Sequence, residues 1–90
     1  MIKLRLFSAL REIADSKEVE VEGEELAIGE ALRQFGQRFG EKAQQVLFDK
    51  DGNLQQSVLL LVNGESAENG AQTRVKSGDV VSVLLPTAGG

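Results

Sequence analysis

The chain has 90 residues, a length that predicts a single domain, and its 41% hydrophobic content is ordinary for a folded protein. Its net charge of -4 disfavours nucleic-acid binding, which usually relies on a basic surface. Because the sequence contains no Cys and no His, it excludes thiol chemistry, imidazole bases and zinc sites built from these ligands. No apolar stretch approaches the roughly 20 residues of a membrane span, and the first residues do not resemble a signal peptide. We expect a cytoplasmic protein with no metal, nucleic acid or membrane to bind.

The first quarter of the chain alternates between apolar and charged residues, which predicts two strands over Ile2–Leu6 and Lys17–Glu22. A short helix over Ala9–Ala14, capped by Ser8, connects them. In an antiparallel pair, the basic residues of the first strand would face the glutamates of the second. We therefore interpret the acidic run as a solvated sheet face and not as an acidic interaction tail.

The spacing of apolar residues changes to a helical period over Ile28–Phe39, and Gly40 is suited to end that helix. Residues 41–48 predict a second, short helix. The carboxylates at Asp49 and Asp51 resemble the start of a calcium loop, but the glycine and the final glutamate of such a loop are missing. This segment is therefore predicted to be a turn.

Two apolar strands complete the chain. Residues 57–62 (SVLLLV) end at the hairpin dipeptide Asn63-Gly64, which a short return strand follows. The last strand, Val80–Leu85, stops at Pro86. The order strand, strand, helix, strand, short strand, strand predicts an α+β fold of the β-grasp, or ubiquitin-like, type: a mixed sheet of four to five strands packed on one main helix. Residues 1–86 would form this domain and residues 87–90 a flexible tail.

The last two strands are apolar on both faces, although one helix cannot cover both faces of the sheet. A serine in each strand, Ser57 and Ser82, would mark the open face. The alternative is that both strands are central and covered on each side. We favour an apolar surface that binds a partner. It would consist of Leu59, Leu61, Val80 and Leu84, with Pro86 following them.

The chain ends in Gly89-Gly90, and a frayed end is the simplest interpretation of such a pair. A Gly-Gly tail has no Cβ atom, so it can enter a tunnel too narrow for any side chain. The carboxylate of Gly90 is also the one reactive group whose use needs neither Cys nor His. Adenylation with ATP would turn it into an electrophile for sulfide or an amine.

The sequence resembles the ubiquitin-like sulfur carriers along its whole length. The resemblance rests on IKLRLFSALREIA at residues 2–14, LVNG at residues 61–64, SGDVVSVLLP at residues 77–86 and the final Gly-Gly. It is strongest for the MoaD-type small subunits of molybdopterin synthase, in their archaeal-type branch, and weaker for the ThiS type. The insertion between the main helix and the SVLLLV strand is typical of that longer branch.

This resemblance implies that a ubiquitin-activating-type enzyme uses ATP to adenylate Gly90, and that a persulfide donor converts the adenylate to a thiocarboxylate. Gly89 would be the slender neighbour of the reacting residue, and Leu84 would lie in the partner interface. The sulfur would pass to the large synthase subunit or to another sulfur-accepting enzyme. The chain itself would be a cosubstrate without a bound cofactor, with the catalytic residues on its partners.

Three functions remain open on the sequence. The first is a sulfur carrier, for molybdopterin or else for thiamin, cysteine or tRNA thiolation. The second is a protein modifier that Gly90 joins to lysines of target proteins. The third is a non-covalent binding module in which the tail has no role. Asp79 is better explained by the turn before the last strand than by catalysis.

Overall fold

A five-stranded mixed sheet is the centre of the computed structural model, which describes residues 1–85. Pro86, Gly89, Gly90 and the predicted tail lie outside these residues. The elements in chain order are β1 (Ile2–Leu6), α1 (Ala9–Ala14), β2 (Glu18–Val21), β3 (Glu25–Ala27), α2 (Ile28–Phe39), α3 (Glu41–Leu47), β4 (Leu59–Val62), β5 (Glu65–Ser66), a 3-10 turn (Gly70–Gln72), β6 (Arg74–Lys76) and β7 (Val80–Leu84).

The strand order across the sheet is β2-β1-β7-β4-β5. β1 pairs antiparallel with β2 and parallel with β7, and β4 pairs antiparallel with β7 and β5. The parallel pair at the centre requires the long crossover that contains α2. The predicted ubiquitin-like β-grasp fold and its mixed sheet are therefore confirmed, with five strands.

The helices pack on one face of this sheet. The inward residues of β1, β2 and β7 join the buried residues of α1, α2 and α3 in one core, in which Phe35 is fully buried. Phe39 packs against Phe35 with ring centroids 4.7 Å apart, as expected from the helical spacing of the two residues. The core is aliphatic around this aromatic pair, and it occupies the side of the sheet that α2 covers.

The turn from α2 to α3 depends on small residues. Gly40 adopts a φ of 93°, a conformation that side chains rarely allow, and so lets α3 start directly after α2. At Gly36 a Cβ atom would lie 2.9 Å from Cγ of Gln44, whose amide donates a hydrogen bond of 3.2 Å to the Gly36 carbonyl. Glycine at this position therefore lets the two helices approach closely.

The turns at Asp49 and Asn63 agree with the sequence. Oδ1 of Asp49 accepts hydrogen bonds from the backbone N–H groups of Asp51 and Asn53, so this carboxylate is used within the turn. Asn63 and Gly64 both have positive φ values, 52° and 88°, as a two-residue hairpin with a primed turn requires.

Two features differ from the predictions. β3 and β6 form a second, two-stranded sheet, with Leu26 opposite Val75, that the sequence pattern did not indicate. The expected cap of α1 is also wrong: Ser8 occupies the capping position but its side chain makes no capping hydrogen bond. Its backbone has a φ of 53° and a ψ of -130°, so the hydroxyl is not placed to accept from the first turn of the helix.

Candidate partner-binding face

The sheet face opposite the helices combines residues from four strands. Because side chains alternate along a strand, this face takes the residues of β4 and β7 that lie between the core residues. Leu59 lies directly opposite Leu84, and Leu61 lies directly opposite Ser82. These two cross-strand pairs bring together Leu59, Leu61 and Leu84, three of the residues that the sequence predicted for a partner-binding surface, and Val80 lies on the same side of β7.

The exposure of this apolar surface is uneven. Leu59 is 62% exposed, whereas Leu61, Val80 and Leu84 are half-buried. Ser82, which was expected to mark an exposed position, is only 9% exposed. The expectation that the four apolar residues are exposed together is thus correct for Leu59. The other three are less exposed than expected. β7 lies between β1 and β4, so side chains of both neighbours shield its outer residues.

The alternative interpretation is that β4 and β7 are covered on both faces of the sheet. It does not fit residues 1–85. The helices of this part of the chain contribute their buried residues to the core on the inner face. On the outer face no helix of this range packs over β4 and β7. The helices of residues 1–85 therefore form one layer, on the inner face of the sheet.

The other half of the same face is charged. Lys3 lies next to Val80, and Arg5 lies next to Ser82, in the parallel β1–β7 register. The carboxylate of Glu18 in β2 forms an ion pair with each of them, 3.7 Å from Nζ of Lys3 and 3.2 Å from Nη2 of Arg5. The sequence predicted these charges on a solvated face, but not that they border the apolar residues. The alternation in β1 already placed Lys3 and Arg5 on the outer face, and a parallel pairing of β1 with β7 would have predicted that they border the apolar residues.

Two polar side chains fix β4 to β7 at the end of the sheet where β7 begins. The side-chain amide of Asn63 donates to Oδ1 of Asp79 at 3.1 Å, and its oxygen accepts from the backbone N–H of Val80 at 2.9 Å. Oδ2 of Asp79 accepts from the backbone N–H of Lys76 at 2.8 Å. The hydrogen bond from Lys76 and then that from Asn63 hold the pKa of Asp79 below its ordinary value. Asp79 is thus a turn residue.

Among residues 1–85, no three acidic side chains converge as a metal site would require. No helix in this range is long and apolar enough to cross a membrane. What the described residues supply is a two-part surface on the open face of the sheet.

The fold is that of a ubiquitin-like β-grasp protein, and comparisons with known proteins agree. Residues 4–90 match the model of the ThiS family, so the chain belongs to that family. A protein of Archaeoglobus fulgidus named "putative sulfur carrier protein" is 30% identical to this chain over 91 residues, which cover 99% of this chain and 98% of that protein.

Two solved structures are similar over nearly their whole lengths. SAMP1 of Haloferax volcanii, the small archaeal modifier protein 1, is 29% identical with a TM-score of 0.79, covering 99% of this chain and 98% of its own. A protein of Pyrococcus furiosus named "putative molybdopterin converting factor, subunit 1" is 27% identical with a TM-score of 0.72, covering 96% of this chain and 97% of its own. One family fold therefore includes a protein modifier and a subunit named for molybdopterin conversion.

Proposed function

We propose that this protein is a sulfur carrier whose Gly90 carboxyl group becomes a thiocarboxylate, and that this sulfur is used to make molybdopterin. The observation that carries the proposal is the match to the ThiS family, which extends to Gly90. The likeness to the Pyrococcus furiosus protein supports the molybdopterin pathway over other uses of the sulfur. The lack of Cys fits a carrier whose sulfur is bonded to a carbonyl and is not held as a thiol.

The chemistry begins with a ubiquitin-activating-type enzyme and ATP. Attack of the Gly90 carboxylate on the α-phosphate forms an acyl adenylate and releases pyrophosphate. The terminal sulfur of a donor persulfide then attacks the acyl carbon and releases AMP, which leaves an acyl disulfide. A second thiol reduces that disulfide, and the products are the thiocarboxylate and an oxidised donor. All groups that move protons or sulfur in these steps belong to partner proteins, and Gly89 keeps the tail narrow beside the reacting carbon.

The partner-binding face would hold the carrier while its tail reacts. Gly90 is the fifth residue after Leu85, and a fully extended chain of five residues reaches at most about 18 Å. A partner that grips Leu59, Leu61, Val80 and Leu84, and Pro86 beyond them, therefore needs its reactive centre within this reach. The adenylating enzyme and the large synthase subunit, or another sulfur-accepting enzyme, would use the face in turn.

A second candidate function is covalent attachment of Gly90 to lysines of target proteins. It is favoured by the likeness to SAMP1, which is a modifier by name. Both functions pass through the same acyl adenylate and diverge in the nucleophile that attacks it. A persulfide leads to sulfur transfer, whereas a lysine amine leads to an isopeptide bond.

The test is incubation of the full chain with ATP, an adenylating enzyme of the ubiquitin-activating class from the same cells, and a persulfide donor. Intact-mass measurement should show that one oxygen is replaced by sulfur, and fragmentation should place the change at Gly90. ATP-dependent conjugates of higher mass, without a thiocarboxylate, would favour the modifier. A variant that lacks only Gly90 is the control. If it forms the same thiocarboxylate, the assignment to Gly90 is wrong.

A further inference from the structure

The outer edge of β2 is one of the two edges of the sheet, and its backbone groups would normally be available to another strand. In the β1–β2 pair, the N–H of Leu6 donates to the carbonyl of Lys17 at 2.8 Å. Because backbone groups alternate in direction along a strand, the N–H and C=O groups of the odd-numbered residues in 17–21 point towards β1. The backbone N–H and C=O groups of Glu18, Glu20 and Glu22 therefore point away from the sheet.

Three side chains bond these outward groups. The hydroxyl of Ser16 accepts from the N–H of Glu18 at 3.3 Å and donates to its carbonyl at 2.7 Å. The guanidinium of Arg38 donates to the carbonyl of Glu20 at 3.1 Å. Both outward backbone groups of Glu18 and the carbonyl of Glu20 are thus bonded, whereas the N–H of Glu20 has no such partner among residues 1–85.

The third side chain, that of Gln34, bonds the backbone of Glu22 in the way that a neighbouring strand would. Its Oε1 accepts from the N–H of Glu22 at 3.1 Å, and its Nε2 donates to the carbonyl of Glu22 at 2.8 Å. One side-chain amide thus makes both hydrogen bonds that a residue of a neighbouring strand would make. Gln34 and Arg38 lie one turn apart on α2, so a single helix covers this part of the edge.

We propose that Ser16, Gln34 and Arg38 close the β2 edge to strand addition, so that partners contact the open face of the sheet and not this edge. At the opposite edge, β5 has only the two residues Glu65 and Ser66, which gives an added strand little to pair with. This inference concerns the edge alone and does not depend on the sulfur-carrier function. It predicts that the edge accepts an extended segment once the three side chains are removed.

The first experiment measures amide hydrogen exchange in the full chain. Ser16→Ala should speed exchange of the Glu18 N–H by about two- to tenfold, the effect of losing one net hydrogen bond, and leave Glu22 unchanged. Gln34→Ala should do the reverse, so each variant is the control for the other. If neither N–H responds, the side chains do not occupy the edge in solution and the proposal is wrong.

The second experiment uses a capped peptide of alternating Lys and Val, because such a strand would place Lys against the carboxylates of Glu18 and Glu20. The variant S16A/Q34A/R38A should bind it saturably, with chemical-shift changes centred on β2, while the wild-type chain should not. The matched control is R33A/Q37A, which removes an arginine and a glutamine from exposed positions of the same helix.

A peptide with N-methyl groups on the amides that face the sheet separates strand pairing from charge attraction. If the methylated peptide binds the triple variant equally well, pairing is not the mode of binding. The proposal is also wrong if the wild-type chain binds the unmethylated peptide as well as the triple variant does, or if a folded triple variant does not bind it. Thermal unfolding of each variant establishes that it is folded.

Discussion

The two halves of the open sheet face have the same backbone but different chemistry. On β1 and β2 three of the charges are paired with one another, since Glu18 forms ion pairs with both Lys3 and Arg5. On β4 and β7 the apolar residues have no equivalent cover among residues 1–85, and Leu59 is 62% exposed. A surface that already satisfies its charges gains little from a partner, whereas exposed apolar area gains free energy when it is buried.

This contrast separates the energetic role of each half. Burial of apolar residues supplies affinity, and a rim of charges mainly affects the association rate and the choice of partner. We therefore expect substitutions on β4 and β7 to change partner affinity and those on β1 and β2 to change its dependence on salt.

The largest effect is expected from the double variant L59S/L84S, which replaces a direct cross-strand pair. Burial of one fully exposed leucine is worth about 1.5–3 kcal/mol, and Leu59 with the half-buried Leu84 exposes about that much surface, so the affinity for an activating partner should fall by roughly 10- to 100-fold. Isothermal titration calorimetry would measure this loss, and urea unfolding would show whether the domain stays folded. The control is Val83→Ser, on the same strand but fully buried in the core, which should instead destabilise the fold.

A different outcome would be that the double variant loses folding stability while the molecules that remain folded still bind the partner as tightly as wild type. In that case the apolar half stabilises the fold and does not bind the partner, and the assignment of affinity to β4 and β7 is wrong. This outcome would mean that the apolar residues on the outer face of β4 and β7 stabilise the sheet itself and do not serve a partner. Loss of affinity at unchanged stability would support the partner-binding face.

The sequence predicted the parts of this molecule in which periodicity is strong. The alternation in Ile2–Leu6 and the helical spacing over Ile28–Phe39 gave elements close to those observed, because one face of each is buried in a single core. β3 and β6 were missed because they have three residues each and pair across a separation of about fifty residues, Glu25 with Lys76. Segments this short show no period, so only the tertiary pairing defines them.

The candidate site was predicted to a similar degree. Parity along the two apolar strands placed Leu59 and Leu84 on one face, and the structure sets them opposite each other. Parity could not give the burial of Ser82, because burial depends on which strands are neighbours. The closure of the β2 edge by Gln34 and Arg38 was also beyond the sequence, since it requires the angle between a helix and a strand.

The second prediction concerns Ser82, which lies at the boundary between the halves, with Leu61 on one side and Arg5 on the other. Ser82→Val would extend the apolar half by one residue. Because a β-branched residue suits a central strand, we expect the free energy of unfolding to rise by up to about 1 kcal/mol, measured by urea denaturation. Ser57→Val, at an exposed position outside the strands, is the control and should change it less. A lower stability for Ser82→Val would mean that this position requires a small polar residue.

The third prediction tests the charged half. Glu18→Gln removes the carboxylate shared by Lys3 and Arg5, and since the three side chains are 38–51% exposed, we expect a loss of less than about 1 kcal/mol. The loss should shrink as salt is added, because salt screens exposed charges. The matched control is Glu20→Gln, because Glu20 lies on the same strand and forms no ion pair with any other residue in the described part of the chain. If both variants respond equally to salt, the ion pairs of Glu18 contribute nothing.

The smallest effect is expected from Asp79→Asn, which removes a charge that accepts hydrogen bonds at the end of the apolar half. Hydrogen bonds from Lys76 and Asn63 lower the pKa of Asp79 in the folded state, so its ionised form favours folding. That contribution is present above the pKa of the unfolded state and is lost as pH falls through the lower folded-state pKa. The wild-type chain should therefore be more stable than the variant at neutral pH, and the difference should vanish in acid.

Chemical denaturation at a series of pH values would measure this difference between wild type and Asp79→Asn. The control is Asp51→Asn, which removes an exposed carboxylate that accepts no hydrogen bond from the described residues, so comparison of the two variants separates loss of a charge from loss of the hydrogen bonds to it. Acid would then weaken the polar link between β4 and β7, while salt weakens the ion pairs of β1 and β2. If the Asp79 difference instead grew in acid, the hydrogen bonds would be favouring the protonated carboxyl, and the polar link would not stabilise the apolar half as a charge.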